Sequence, residues 1–129
     1  MSPPLISVVD DNESVREALR GLIRSVGYSV AVFGSAEDFL ASDYLAETRC
    51  LILDVRMPGM NGMALQRHLV GSKHQVPIVF ITAHGNEASR VEALNHGAID
   101  YLMKPFSDQA LLDAVNQAIK AKSQRANQR

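Results

Sequence analysis

Leu5-Ile6-Ser7-Val8-Val9-Asp10-Asp11-Asn12 runs from branched apolar residues straight into two carboxylates. Cys50-Leu51-Ile52-Leu53-Asp54 does the same with one. Short apolar runs of this kind mark strands buried on both faces of a parallel sheet. If the two strands are neighbours, three carboxylates converge at one end of that sheet. Like charges packed together raise one another's pKa and cost free energy. A cation among them relieves that cost, and this is the first pointer to function.

Outward from these two runs, strand-like and helix-like segments alternate. Asn12 is placed to cap a helix that carries Val15, Leu19, Leu22, Ile23 and Val26 on one face, with Gly27 ending it. Ser29 to Phe33 reads as a second strand, Gly34-Ser35 as a turn and cap, and Ala36 to Ser42 as a short helix burying Phe39 and Leu40. After the Cys50 to Leu53 strand, Met57-Pro58-Gly59-Met60-Asn61-Gly62 is a loop of turn formers. A helix from Met63 to Val70 turns Leu65 and Leu69 inward. Ile78 to Ile81 is a fourth strand, and Asn86 to Asn95 a helix with Val91 and Leu94 as its apolar pair. Ile99 to Met103 is a fifth strand. Ser107 caps a last helix that buries Leu111, Leu112, Val115 and Ile119. Five βα units in succession predict an α/β fold, a parallel sheet with helices on both faces.

The chain has 129 residues, enough for one domain with its own core. A hydrophobic content of 47% with 21% charged residues is that of a globular chain. The net charge of −1 gives no basic excess for nucleic acid. No apolar run approaches the ~20 residues of a membrane helix, and Met1-Ser2-Pro3-Pro4 does not open a signal peptide. A soluble, cytoplasmic protein is expected. The single cysteine, Cys50, reads as a small core residue. Residues 1–121 read as the domain, and the polar 122–129 as a frayed end or the start of a linker.

Ligands of open parallel sheets bind beyond the carboxyl ends of the strands, where strand order reverses. Those ends carry Asp10 and Asp11, then Asp54, Thr82 and Lys104. In a 2-1-3-4-5 order the reversal would bring Asp11 and Asp54 face to face, with Thr82 and Lys104 on the same rim. An all-oxygen site of this kind suits Mg²⁺ or Mn²⁺, which keeps open positions for phosphoryl oxygens. One carboxylate could then attack phosphorus, with lysine and cation neutralising the developing charge.

Taken together, Val9-Asp10-Asp11-Asn12, the loop Leu53 to Gly62, Ile81-Thr82-Ala83, Gly97 to Leu102 and Lys104-Pro105-Phe106 resemble the receiver domain of bacterial two-component response regulators. The wording around Asp54 and Thr82 is most similar to the nitrogen-fixation type, usually joined to a LuxR-type helix-turn-helix domain. The resemblance implies a flavodoxin-like (βα)5 three-layer sandwich with strand order 2-1-3-4-5. It implies that Asp54 takes a phosphoryl group from a phosphohistidine of a sensor histidine kinase. Asp11, Asp54 and the backbone carbonyl of Arg56 would hold the Mg²⁺, with Asp10 acting mainly through bound water. Lys104 would pair with Asp54 and then with the phosphate, and the Lys104-Pro105 bond would be cis. Thr82 would move toward the phosphate and Tyr101 would turn inward. Arg56 and His84 would tune dephosphorylation. The readout face, about Asn86 to Ile119, often forms a dimer in the family, and an effector domain of the same protein would take the output. The domain itself would be regulatory, assisting only its own phosphorylation and dephosphorylation.

Other readings of the same residues stand beside these. Asp10 and Asp11 could merely cap a helix, although Asn12 is the better cap. Tyr101 could be a half-buried core aromatic. Glu13 could join the acidic rim or face solvent in the first helical turn. His68, His74, His84 and His96 lack metal-ligand spacing and read as surface residues. Met57 and Met60 read as packing beside the site. A haloacid-dehalogenase-type phosphatase would need Asp-x-Asp after the first strand, where Asp10-Asp11-Asn12 stands. A nucleotide-binding module would need a glycine-rich turn at the same place. A phosphate-independent interaction module of the same fold would differ only in its response to phosphorylation.

Overall fold

The computed structural model describes residues 2–72 and 74–127, with side chains placed as far as residue 122. The elements are β1 (Leu5–Val9), α1 (Glu13–Ser25), β2 (Ser29–Phe33), α2 (Ala36–Ala41), a 3-10 turn (Leu45–Glu47), β3 (Thr48–Asp54), α3 (Gly62–Val70), β4 (Ile78–Thr82), α4 (Glu87–Asn95), β5 (Asp100–Met103) and α5 (Asp108–Asn127). The five strands form one parallel sheet in the order β2-β1-β3-β4-β5. Strand order reverses between β1 and β3, as the resemblance implies.

The helices cover the sheet in two layers, and the two-residue alternation of strand side chains sorts the core between them. Along β3, Cys50 and Ile52 point to one layer with Leu19, Ile23, Leu111 and Val115 of α1 and α5. Leu51 and Leu53 point to the other, with Phe39, Leu65, Leu69 and Ala93 of α2, α3 and α4. Every β3 residue except Arg49 is buried, and the apolar run Cys50 to Leu53 at its centre is that of a strand covered on both faces. Burial pushes the Cys50 thiol up, which leaves it a packing residue. Asn12, Ser35, Asn61, Asn86 and Ser107 each accept a backbone N–H three residues on and start the helices cleanly.

Four details differ from the sequence reading. β3 begins at Thr48, two residues early. The Thr48 hydroxyl is buried between Ser7 Oγ and the Tyr44 carbonyl, both at 2.7 Å, so a polar residue extends the strand through its hydrogen bonds. Val26 and Val91 are 49% and 43% exposed rather than packed. Val26 lies past the last turn of α1 as its C-cap, and α4 buries Ala93 instead. β5 starts at Asp100. Helical backbone continues through Asn127, past the Lys122 at which the sequence marks a tail, because Ala, Lys, Gln and Arg are good helix formers. Residues 128 and 129 of that tail lie outside the described residues.

Ile52 sits at the centre of the sheet with no exposed surface. Ile52→Ala is expected to destabilise the domain by about 2–5 kcal/mol, read by chemical denaturation. A loss under ~0.5 kcal/mol would contradict the two-layer packing described here.

Candidate phosphoacceptor site

β1 pairs β3 with Val9 opposite Leu53, so Asp10, just past β1, and Asp54, the last residue of β3, stand side by side. Asp10, Asp11 and Asp54 each bring a carboxylate oxygen within 4.8 Å of the others. They are the one such acidic or metal-ligating cluster among the described residues. Asp10 is wholly buried, Asp54 nearly so, and Asp11 is open to solvent. Fully oxygen-based donors, partly exposed and at the end of a sheet, fit a hard divalent cation.

The neighbours are ordered by the same register. β4 places buried Thr82 beside this rim, since Val55 N–H donates to the Ile81 carbonyl at 3.1 Å. Lys104 follows β5, and its N–H donates to the Thr82 carbonyl at 2.8 Å. The Lys104-Pro105 bond is cis. Lys104 Nζ lies 3.1 Å from Asp10 Oδ2, whereas a pair with Asp54 was expected. Asp10 has no access to water, so it carries the stronger demand for a partner. Its other oxygen accepts from Asn12 N–H at 2.8 Å, and its carbonyl accepts from the Arg16 guanidinium at 2.8 Å. Nothing in the spacing of Arg16 announced that contact.

Asp54 is left with less. Among the described residues it accepts one long bond, from Arg56 N–H to Oδ1 at 3.4 Å. Burial, with Asp10 beside it, pushes its pKa up to about 6, and Asp11 adds to this. Lys104 and the Arg56 N–H pull the other way without cancelling it. A buried, under-bonded carboxylate facing two others is poised to accept a cation or an electrophile.

The remaining predicted residues lie on the rim or under it. The Thr82 hydroxyl accepts from His84 N–H at 3.2 Å. His84 and Arg56 have exposed side chains, as do His68, His74 and His96. Tyr101 is buried, tilted against Phe80 with ring centroids 6.1 Å apart, and its hydroxyl meets Ser89 Oγ at 2.6 Å. Its ring already lies inward, where the resemblance implies a turn inward, and its polar tip is on Ser89 of α4. Met57 is buried and Met60 packs against the same core layer, while Glu13 is exposed. The sequence reading missed Glu37 of α2, whose carboxylate accepts Met60 N–H at 3.0 Å.

The model of the response regulator receiver domain family matches residues 6–116. The chain belongs to that family, whose members are regulatory and signal through phosphorylation. Among its relatives is nodulation protein W of Bradyrhizobium diazoefficiens, 48% identical over 111 residues, which are 86% of this chain and 49% of that protein. Response regulator protein TodT of Pseudomonas putida is 45% identical over 124 residues, 95% of this chain and 55% of TodT. Transcriptional regulatory protein FixJ of Rhizobium meliloti is 37% identical over 118 residues, covering 92% and 58%. The chain spans about half the length of the curated relatives it matches. Of solved structures, response regulator StyR superposes with a TM-score of 0.90 at 47% identity, covering 98% of this chain and 64% of StyR. FixJ-N does so with 0.82 at 37%, covering 93% and 96%.

The raised pKa of Asp54 makes a signed prediction. Below about pH 4 the carboxyl is protonated in folded and unfolded chains alike. Between there and about pH 6 the folded chain holds the extra proton, so stability falls as pH rises. Above that the full penalty remains. Without divalent cations, Asp54→Asn should stabilise the domain at pH 8 by on the order of 1–3 kcal/mol, with the gain fading toward pH 4. Denaturation midpoints across pH check it, and a gain independent of pH would contradict it.

Proposed function

We propose that this receiver domain is a switch thrown by phosphorylation of Asp54. A sensor histidine kinase supplies the phosphoryl group from a phosphohistidine. An Asp54 carboxylate oxygen bonds to phosphorus as the phosphorus–nitrogen bond to the imidazole breaks, and the imidazole departs with a proton from solvent. The observation that carries the reading is the gathering of three carboxylates within 4.8 Å of one another, with the Lys104 ammonium on one of them.

Asp11, Asp54 and the backbone carbonyl of Arg56 would hold Mg²⁺ or Mn²⁺, with Asp10 reaching it through bound water. A cation there supplies positive charge to the oxygens of the transferred group. Asp10 holds Lys104 in the pocket until a phosphoryl oxygen offers a better partner. The Thr82 hydroxyl accepts from His84 N–H and keeps its own proton for the phosphoryl group. Arg56 and His84, both exposed beside the site, set the rate at which water removes the phosphate. The chain thus assists only its own phosphorylation and dephosphorylation. Tyr101 and Thr82 report the change to α4, which Tyr101 already touches through Ser89.

A switch from about 1:99 to 99:1 needs about 5.5 kcal/mol of differential binding. A doubly charged phosphoryl group held by a cation, an ammonium and a hydroxyl is of that scale. The output face is α4-β5-α5, which exposes Val91 and Met103, and it dimerises on phosphorylation. Longer relatives, of which the chain matches 50–58%, are named transcriptional regulatory proteins, FixJ among them. We therefore assign residues 1–121 to the receiver and 122–129 to the start of a linker toward a LuxR-type DNA-binding domain, in a cytoplasmic regulator. No helix among the described residues is long and apolar enough to cross a membrane.

Two measurements test this. Acetyl phosphate with Mg²⁺ should label the wild-type chain and not Asp54→Asn; persistent label on the variant would place the acceptor elsewhere. Val91→Asp combined with Met103→Asp should weaken dimerisation of the phosphorylated form at least tenfold without slowing labelling. Sedimentation of wild-type and variant chains that gave equal dimer would remove this face from the output.

A further inference from the structure

The loop between β3 and α3 is pinned at several points. Gly62 N–H donates to the Val55 carbonyl at 3.0 Å, which closes the loop at its base. Gly62 lies so close to the strand end that a Cβ there would stand 2.3 Å from the Asp54 carbonyl oxygen. Met57 is buried in the core layer beneath. Met60 packs against that layer too, which leaves the backbone of the tip, Gly59-Met60, to be fixed from outside the loop.

Glu37, in the first turn of α2, fixes it. Its Oε2 accepts Met60 N–H at 3.0 Å, across 23 residues of sequence. The backbone of Gly59 turns over the same oxygen at φ +72°, and a Cβ there would come 2.7 Å from Oε2. The approach therefore needs both a residue that tolerates positive φ and one without a side chain. The Met60 N–H and the N–H of Glu37 itself hold the carboxyl below the usual range, as expected for a charge-assisted bond. A carboxylate in the first turn also suits the dipole of α2, whose N-cap is Ser35, but that role does not require the contact with Met60.

From this contact we infer that Glu37 is a positioning residue for the phosphoacceptor site, holding the Gly59-Met60 tip so that the Arg56 backbone stays set for the cation. The inference rests on the cation and phosphate reading of the site given above. Glu37 touches neither cation nor phosphate. It acts through the loop, by a hydrogen bond that an uncharged amide oxygen can also accept.

The test compares Glu37→Ala and Glu37→Gln with the wild-type chain, all residues present. Glu37→Ala should speed hydrogen exchange at the Met60 amide and raise the Mg²⁺ concentration for half-saturation by roughly three- to tenfold. Labelling by acetyl phosphate should slow at low Mg²⁺ and recover at saturating Mg²⁺. Glu37→Gln, which keeps the acceptor, should stay near wild type in all three. An unchanged Mg²⁺ midpoint in Glu37→Ala, beside a competent wild type, would overturn the inference alone. A Glu37→Gln defect as large as that of Glu37→Ala would assign the effect to charge and overturn it too. A wild-type chain that bound no Mg²⁺ and took no phosphate would sink the underlying reading, and the inference with it.

Discussion

Repulsion among Asp10, Asp11 and Asp54 is the constraint on which the rest of the domain turns. It is imposed by register. With Val9 opposite Leu53, the parallel pairing of β1 and β3 delivers the carboxylates to one place. A slip of one residue would send Asp54 to the opposite face of the sheet and disperse the cluster. The register in turn is secured by residues that have no access to water, Ile6, Val8 and Val9 on one strand and Cys50 to Leu53 on the other. Apolar burial thus holds three charges in an arrangement that electrostatics alone would scatter.

Much around the rim follows from how that repulsion is partly relieved. Asp10, the most buried, takes Lys104 and Asn12 N–H for itself. Among the described residues Asp54 accepts a single long bond, and its pKa is raised. The asymmetry divides the labour among three chemically identical side chains: one anchors the lysine, one stays open to solvent, and one remains receptive. Differences of environment, not of residue type, make the distinction.

The apolar runs and the caps made the fold legible, because five strands announce themselves by composition and three of the helices by Asn12, Ser35 or Ser107 at the start. The site was legible at the level of which residues meet, since each stands at or just beyond the carboxyl end of a strand. What escaped were contacts between segments. Lys104 faces two carboxylates a few ångströms apart, and sequence does not say which is the drier. Val91 and Val26 have helical spacing appropriate to a core, but spacing does not reveal where neighbouring elements end. Thr48 extends β3 through hydroxyl hydrogen bonds to Ser7 and Tyr44, for which no apolar pattern exists. Glu37 meets Met60 only because α2 and the β3-α3 loop overhang the same end of the sheet.

The central claim is that the carboxylate cluster is a cation site built around Asp54. A crystal of the domain grown with Mn²⁺ and measured at the manganese edge addresses it without reference to phosphorylation. One strong anomalous peak bonded to carboxylate oxygens of Asp11 and Asp54 and to the backbone carbonyl of Arg56 is expected. No peak among those residues at saturating Mn²⁺, with Lys104 still on Asp10, would contradict it.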